Sequence, residues 1–247
     1  MNKLNQTVAV VRTYNNRAVV KTVRSLTAFI GHVIVVVRND IDKGSTRAWL
    51  AGMRNVSIIE MDIGYSWSNA LNRALHKIVE LNVDRARPYR YVLNVSVEAR
   101  FTKDHVLEML NTFTDSDVGV VGTSFSATQD GNPVGLGVSY MHPRNTRMIV
   151  DLRVFENPML RLGFDPFCDD IGGMEDIDFI YRLAAFSDFK TEMLDLCVPL
   201  VVGVNHNQEL KEAAEQAAMR KIFARYEQWA ERFKKVKATA EYLGILD

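Results

Sequence analysis

The sequence predicts an α/β protein: a mostly parallel sheet flanked by helices, a mixed second half and a C-terminal helical tail. Near-continuous β-branched runs, separated by single helical patterns, carry the first part of that expectation. The run TVAVVRTY at 7–14 reads as a strand covered on both faces. Asn16 then caps a helix whose apolar positions Val19, Val23, Leu26 and Ile30 follow 3-4 spacing. HVIVVVRN at 32–39 is a second buried strand, STRAWLAGM a short helix and VSIIEM at 56–61 a third strand. Ser66 opens SWSNALNRALHKIVEL, in which Trp67, Leu71, Leu75, Ile78 and Val79 form one apolar face. YRYVLNVS at 89–96 is the fourth strand, and Thr102 caps KDHVLEMLNTF. Strands alternating with single helices imply right-handed crossovers and a parallel sheet. Ligands of such sheets lie beyond the carboxyl ends of the strands.

The second half changes character. VGVVGTSFSAT, PVGLGVSYMHP and TRMIVDL are shorter, Gly-punctuated strands that extend the sheet in mixed directions. GGMEDIDFIYRLAAF reads as a Gly-Gly turn entering a helix, and LCVPLVVGVNH as a last strand, with Pro199 pointing to an edge. Residues 1–206 form one domain and 207–247 a helical extension rich in Ala, Glu, Lys and Arg. In that extension Ile222, Tyr226, Trp229, Phe233, Val236, Ala240 and Leu243 make a narrow 4-3 seam suited to a helical partner. Two partners fit it: the protein's own body, or a second copy in a homodimer.

Composition narrows the function classes. The 247 residues, 47% hydrophobic, suffice for a sizeable core. Thirty basic residues balance thirty acidic ones, so no global charge draws the chain to nucleic acid or an anionic membrane. Cys168 and Cys197 cannot build a disulfide framework. The N-terminus lacks the apolar core of a signal peptide, and no apolar run approaches ~20 residues, so the expectation is a soluble cytoplasmic protein. Neither G-x-G-x-x-G nor G-x-x-x-x-G-K-[ST] occurs, which argues against a dinucleotide enzyme or an ATPase.

Four segments carry polar groups to the expected strand ends. Thr13, Tyr14 and Asn15 follow strand one, where a Tyr ring can stack on a base; the same residues also suit an ordinary turn. Arg38, Asn39, Asp40 and Asp42 follow strand two, where a carboxylate can accept from a base N–H or a ribose hydroxyl, or simply line a solvated loop. Asn69 and Arg73, four apart near a helix start, face a place suited to a diphosphate. The stretch FDPFCDDIGGMEDIDFIYRL at 164–183 packs six carboxylates between Asp165 and Asp178. Asp178 and Arg182, at i,i+4, read as a surface ion pair. Glu175 and Asp176 suit a helix's first turn. Asp165, Asp169 and Asp170 are left converging on one place.

Together these segments resemble the family 2 glycosyltransferases of the GT-A fold over roughly residues 6–206. VRTYN looks like that family's opening signature, GYSWSNALNRAL like its third-strand turn, and GGMEDIDFIYRL like its acceptor-side acidic segment. The resemblance implies a hexosyltransferase taking a nucleotide-sugar donor, with UDP or GDP favoured, and a hydroxyl-bearing acceptor. It implies Thr13, Tyr14, Asn15 and Asp40 around base and ribose, and Asn69, Arg73, Asn94 and Ser96 toward ribose and diphosphate. Asp176, with Glu175, then becomes the catalytic base of an inverting displacement. Two departures stand out: Asn94-Val95-Ser96 replaces the metal-binding Asp-x-Asp, and RNDI stands where DDGS is usual. A Mn²⁺ or Mg²⁺ ion then falls to Asp170 and His206, or the diphosphate to Arg or Lys, or activity is lost and the module only binds partners.

Overall fold

A computed structural model describes residues 3–13, 15–62, 66–114, 117–129, 132–133, 147–161, 163–164 and 175–201, with 217, 218, 220–222 and 224 of the tail. Strands β1 (Thr7–Thr13), β2 (His32–Arg38), β3 (Val56–Met61) and β4 (Tyr91–Ser96) run parallel in the order β3-β2-β1-β4. Every residue of β1 is buried, as its near-continuous β-branched run leads one to expect of a central strand. Beyond β4 the direction reverses. β7 (Arg147–Asp151) lies antiparallel between β4 and β5 (Val118–Gln129), and β5 carries the short β6 (Asn132–Pro133) and the parallel β8 (Lys190–Val201). Among the described residues β8 pairs with β5 only, which puts Pro199 on an edge of the described sheet.

Helices cover both faces. On one, α1 (Ala18–Thr27) and α5 (Lys103–Asn111) set Val19, Val23, Leu26, Val106 and Leu110 against Val11, Val35 and Leu93. On the other, α4 (Trp67–Asn82) and α6 (Glu175–Phe186) set Leu71, Ala74, Ile78, Phe179 and Leu183 against Val10, Val36, Val92 and Val150. Between β2 and β3 lie two short helices, α2 (Asn39–Asp42) and α3 (Ser45–Trp49).

The caps follow local chemistry. Ser66 Oγ accepts from the Asn69 N–H at 3.1 Å and starts α4. Thr102 Oγ1 accepts from the His105 N–H, and His105 Nδ1 accepts in return from the Thr102 N–H, closing a capping box on α5. Asn16 Oδ1 accepts from the Ala18 N–H at 2.9 Å.

Two expectations need correction. Val79 is 67% exposed; the buried stripe of α4 is Ala70, Leu71, Ala74 and Ile78. Val79 lies three residues after exposed His76 and four after half-buried Leu75, at the rim of that stripe, and stays in solvent while Ile78 packs inward. Asp178 and Arg182 form no surface pair: the Arg182 Nε donates to Asp178 Oδ2 at 2.8 Å, with side chains 8% and 0% exposed. The i,i+4 spacing does bring the two side chains together. The pair is buried because α6 is covered along almost its whole length, with Phe179 and Leu183 beside it in the core.

In the tail, Ala218 and Ile222 are buried within the single chain. Tyr226, Trp229, Phe233, Val236, Ala240 and Leu243, the homodimer seam and the boundary at 207 lie outside the described residues, as does PVGLGVSYMHP apart from Pro133. Among the described residues no helix is long and apolar enough to cross a membrane.

Candidate active site at the head of the sheet

The carboxyl ends of β1, β2 and β4 and the start of antiparallel β7 meet at one end of the sheet. Alternation puts Val8, Val10 and Arg12 on the face that α4 and α6 cover. In register, Val10 lies beside Asn94 and Arg12 beside Ser96. Arg12 is 7% exposed, and its Nη1 donates to Glu175 Oε1 at 3.3 Å. That ion pair ties the first residue of α6 to the end of β1, across 163 positions of sequence.

Asp176 is 4% exposed, and its Oδ1 accepts from the Ile177 N–H at 2.9 Å. The acidic pair of α6 is therefore buried at the sheet head rather than solvated. Behind it, the Arg182 Nη2 donates to the Gly163 carbonyl at 2.6 Å. Asn72, on α4, clamps the next residue from the other side: its Nδ2 donates to the Phe164 carbonyl at 2.7 Å and its Oδ1 accepts from the Phe164 N–H at 2.8 Å. Gly163 has φ +69°, and a Cβ there would collide with the Asn72 Oδ1, so the clamp requires glycine. Sequence reasoning missed Asn72. Its one available signal was a polar residue on the otherwise apolar side of α4.

The other expected site residues fall as follows. Thr13 is buried and its Oγ1 accepts from the Asn16 N–H at 3.3 Å, closing the turn after β1. Asn15 is exposed with φ +51°, a left-handed conformation that Asn tolerates. Asp40 is held in a fork by Arg38, whose Nε and Nη2 approach it at 2.8–3.1 Å. The Arg38 hydrogen bonds hold the Asp40 carboxyl below the usual carboxylate range. Asp42 is not in a solvated loop; it is buried and accepts from the Thr46 N–H at the start of α3. Asn69 is half-buried in the first turn of α4 and Arg73 is exposed one turn on. Tyr14, Asp165, Cys168, Asp169, Asp170 and His206 lie outside the described residues.

A divalent cation does not fit the end of β4. Asn94 is neutral, 2% exposed, and lines a small apolar cavity with Val10, Leu71, Val150 and Phe164. Ser96 Oγ accepts from the Glu98 N–H at 3.3 Å. Mg²⁺ and Mn²⁺ are held by charged oxygen ligands, and this pair supplies none. Among the described residues no three His, Cys, Asp or Glu side chains come together.

One buried group on α6 lacks a partner. Tyr181 is 3% exposed and its hydroxyl makes no hydrogen bond; burial pushes its pKa up to about 12. An unmet buried hydroxyl costs about 1–3 kcal/mol. Tyr181→Phe is therefore expected to raise the unfolding midpoint, by roughly 2–4 °C for each kcal/mol recovered. The raised pKa means the folded state holds the phenolic proton more tightly than the unfolded chain. Wild-type stability should then be full below pH 10 and fall as pH rises through about 12, and the Phe variant should lack that fall. Thermal melts of both proteins against pH check both expectations.

No protein-family model matches the chain, and no curated protein matches it in sequence. Solved structures match in shape. GalNAc-T7, crystallised with UDP, GalNAc and Mn²⁺, superposes with TM-score 0.61 at 9% identity over 95% of this chain. This chain spans only about half, 53%, of that protein. A 4-diphosphocytidyl-2C-methyl-D-erythritol synthase from Anaerococcus prevotii DSM 20548 gives TM-score 0.51 at 12% identity, covering 86% of this chain and 97% of that one. A second such synthase gives 0.50 at 9%, covering 84% and 97%. This chain has a GT-A-like fold. At these identities the likeness concerns the fold alone, a mixed sheet flanked by helices. GT-A-like, then, describes the parallel β3-β2-β1-β4 half and the reversed β7 beside it.

Proposed function

We propose that the protein is a glycosyltransferase that moves a sugar from a nucleoside-diphosphate sugar, UDP- or GDP-linked, to an acceptor hydroxyl. The observation that carries this reading is the buried acidic start of α6, tied by the Arg12–Glu175 pair to the strand ends where ligands of such sheets lie. In this reading Asp176 takes the acceptor's hydroxyl proton. The acceptor oxygen bonds to the anomeric carbon from the face opposite the diphosphate, the carbon–oxygen bond to the diphosphate breaks, and the nucleoside diphosphate leaves with that electron pair. Configuration inverts. Glu175 is engaged by Arg12, and in this reading Asp176 beside it serves as the base. Thr13, Tyr14, Asn15 and Asp40 border the base and ribose, and the first turn of α4, with Asn69 and Arg73, faces the ribose or diphosphate. Asp170 and His206 remain the sequence's candidates for an ion.

A thermal-shift screen against UDP-, GDP-, TDP- and CMP-sugars tests the donor assignment. A ligand at about 100 times its Kd adds roughly 2.7 kcal/mol, a rise of roughly 5–11 °C for a chain of this size. Absence of a shift with every nucleotide would sink it.

A second reading, nucleotidyl transfer, draws on one observation: the match spans 97% of both diphosphocytidyl-methylerythritol synthase chains. The sequence after β1, Tyr-Asn-Asn-Arg, has no basic glycine loop to hold a triphosphate, which disfavours it. Pyrophosphate release from a nucleoside triphosphate, set beside sugar transfer, separates the two.

A further inference from the structure

We propose that the protein carries a second ligand site, at the opposite pole of the sheet from the acidic start of α6, and that this site takes a phosphate monoester borne on a flat ring. The inference stands apart from the transferase reading. Where α1 ends and where α3 leads into β3, an open groove of about 400 Å³ is lined by Arg24, Thr27, Trp49, Met53, Arg54 and Asn55. That volume falls in the range of small-molecule sites, about 300–1,000 Å³. The groove lies at the amino ends of β2 and β3, so the length of those strands, roughly 20 Å at about 3.3 Å per residue, separates it from the sheet head. Ligands of the parallel sheet itself lie at that other end.

The charge of the groove does not follow from composition, because basic and acidic residues balance over the chain. Arg12, Arg38, Arg47 and Arg182 each meet a carboxylate, whereas the exposed side chains of Arg24 and Arg54 meet none among the described residues. No residue lining the groove is acidic. Arg24, in the last turn of α1, suits the negative end of that helix by itself. Arg54 stands in the loop, where no helix end accounts for it. The loop is held by its backbone: Gly52 and Asn55 are left-handed, at φ +80° and +59°, and the Asn55 carbonyl accepts from the Val33 N–H at 2.9 Å. Trp49 is half-buried, packs against the core and also lines the groove, so its indole stands as a flat wall near the two cations. A phosphate monoester carries about two negative charges at neutral pH, one for each guanidinium, and its oxygens match the planar fork. A flat ring beside the phosphate stacks on the indole. Nucleotides and simple aryl phosphates share this chemistry, and the experiment separates them.

The experiment is calorimetry of the full chain with phenyl phosphate and with AMP, beside inorganic phosphate, which lacks the ring, and benzoate, which carries a single charge. At low ionic strength at least one ring phosphate should bind roughly tenfold or more tighter than either control. Arg24→Gln and Arg54→Gln should each weaken it roughly three- to tenfold, and Arg24→Glu with Arg54→Glu should abolish it. Both positions are exposed, so these changes spare the fold. Trp49→Leu should bring the ring phosphate down to the level of inorganic phosphate; if that variant fails to fold, the arginine variants still decide. Tighter binding of AMP assigns a nucleotide, and tighter binding of phenyl phosphate an aryl phosphate. The thermal response to UDP- and GDP-sugars should be the same in the charge-reversed variant as in the wild type. Ring-phosphate binding that survives the reversal overturns the inference, as does a control that binds equally well, or no binding of either ring phosphate. All three leave the transferase reading standing. A UDP- or GDP-sugar response lost on reversal also overturns it, because the groove would then not be a separate site.

Discussion

Asp176→Asn is expected to lower sugar transfer by roughly 10²- to 10⁴-fold while leaving nucleotide binding within a few fold. A hydroxyl is a poor nucleophile until its proton is taken, and the amide keeps the shape of the carboxylate without its basic oxygen. The substitution is mild for the fold: the Oδ1 that accepts from the Ile177 N–H survives as an amide oxygen. Glu175→Gln makes the contrast. It disturbs the pair with Arg12, and should leave more of the transfer rate than Asp176→Asn does. Initial rates for both variants, beside nucleotide binding by calorimetry, decide the matter. Near-wild-type transfer by Asp176→Asn, with loss in Glu175→Gln, moves the base by one residue and refutes the assignment made here.

Arg182→Met should cost about 3–5 kcal/mol, the usual penalty for removing one member of a buried ion pair. For a chain of this length that is a fall of roughly 6–20 °C in the unfolding midpoint. Two partners are lost at once: Asp178, 0% exposed, and the Gly163 carbonyl. Replacing both charges, as Asp178→Leu with Arg182→Met, should recover much of the loss, because well-packed apolar pairs often match buried ion pairs. A fall of only about 2 °C in the single variant would show a surface-like pair. Nucleotide binding in the same variant reports whether the Gly163–Phe164 clamp matters to the donor side.

Much of the architecture was legible because it rests on local chemistry. β-branched runs buried on both faces, the 3-4 spacing of Val19, Val23, Leu26 and Ile30, and the hydroxyl caps Ser66 and Thr102 all act within a few residues. The antiparallel entry of β7 between β4 and β5 was not legible beyond a mixed extension, since strand direction depends on where the chain returns. The failures share one cause. Val79, Asp178 with Arg182, and Asp42 were read from spacing or polarity alone, and burial is set by what packs over a residue.

By itself, the sequence determined most of the described strands and helices, that charged groups cluster before and within α6, and that carboxylates are missing at Asn94 and Ser96. Only the tertiary structure decided who meets whom. Arg12 finds Glu175 163 positions away, and Asn72 grips Phe164 92 positions away. No periodicity spans such distances: a charged or amide side chain can satisfy many partners, and the choice is made by the packed layers that exclude all but one.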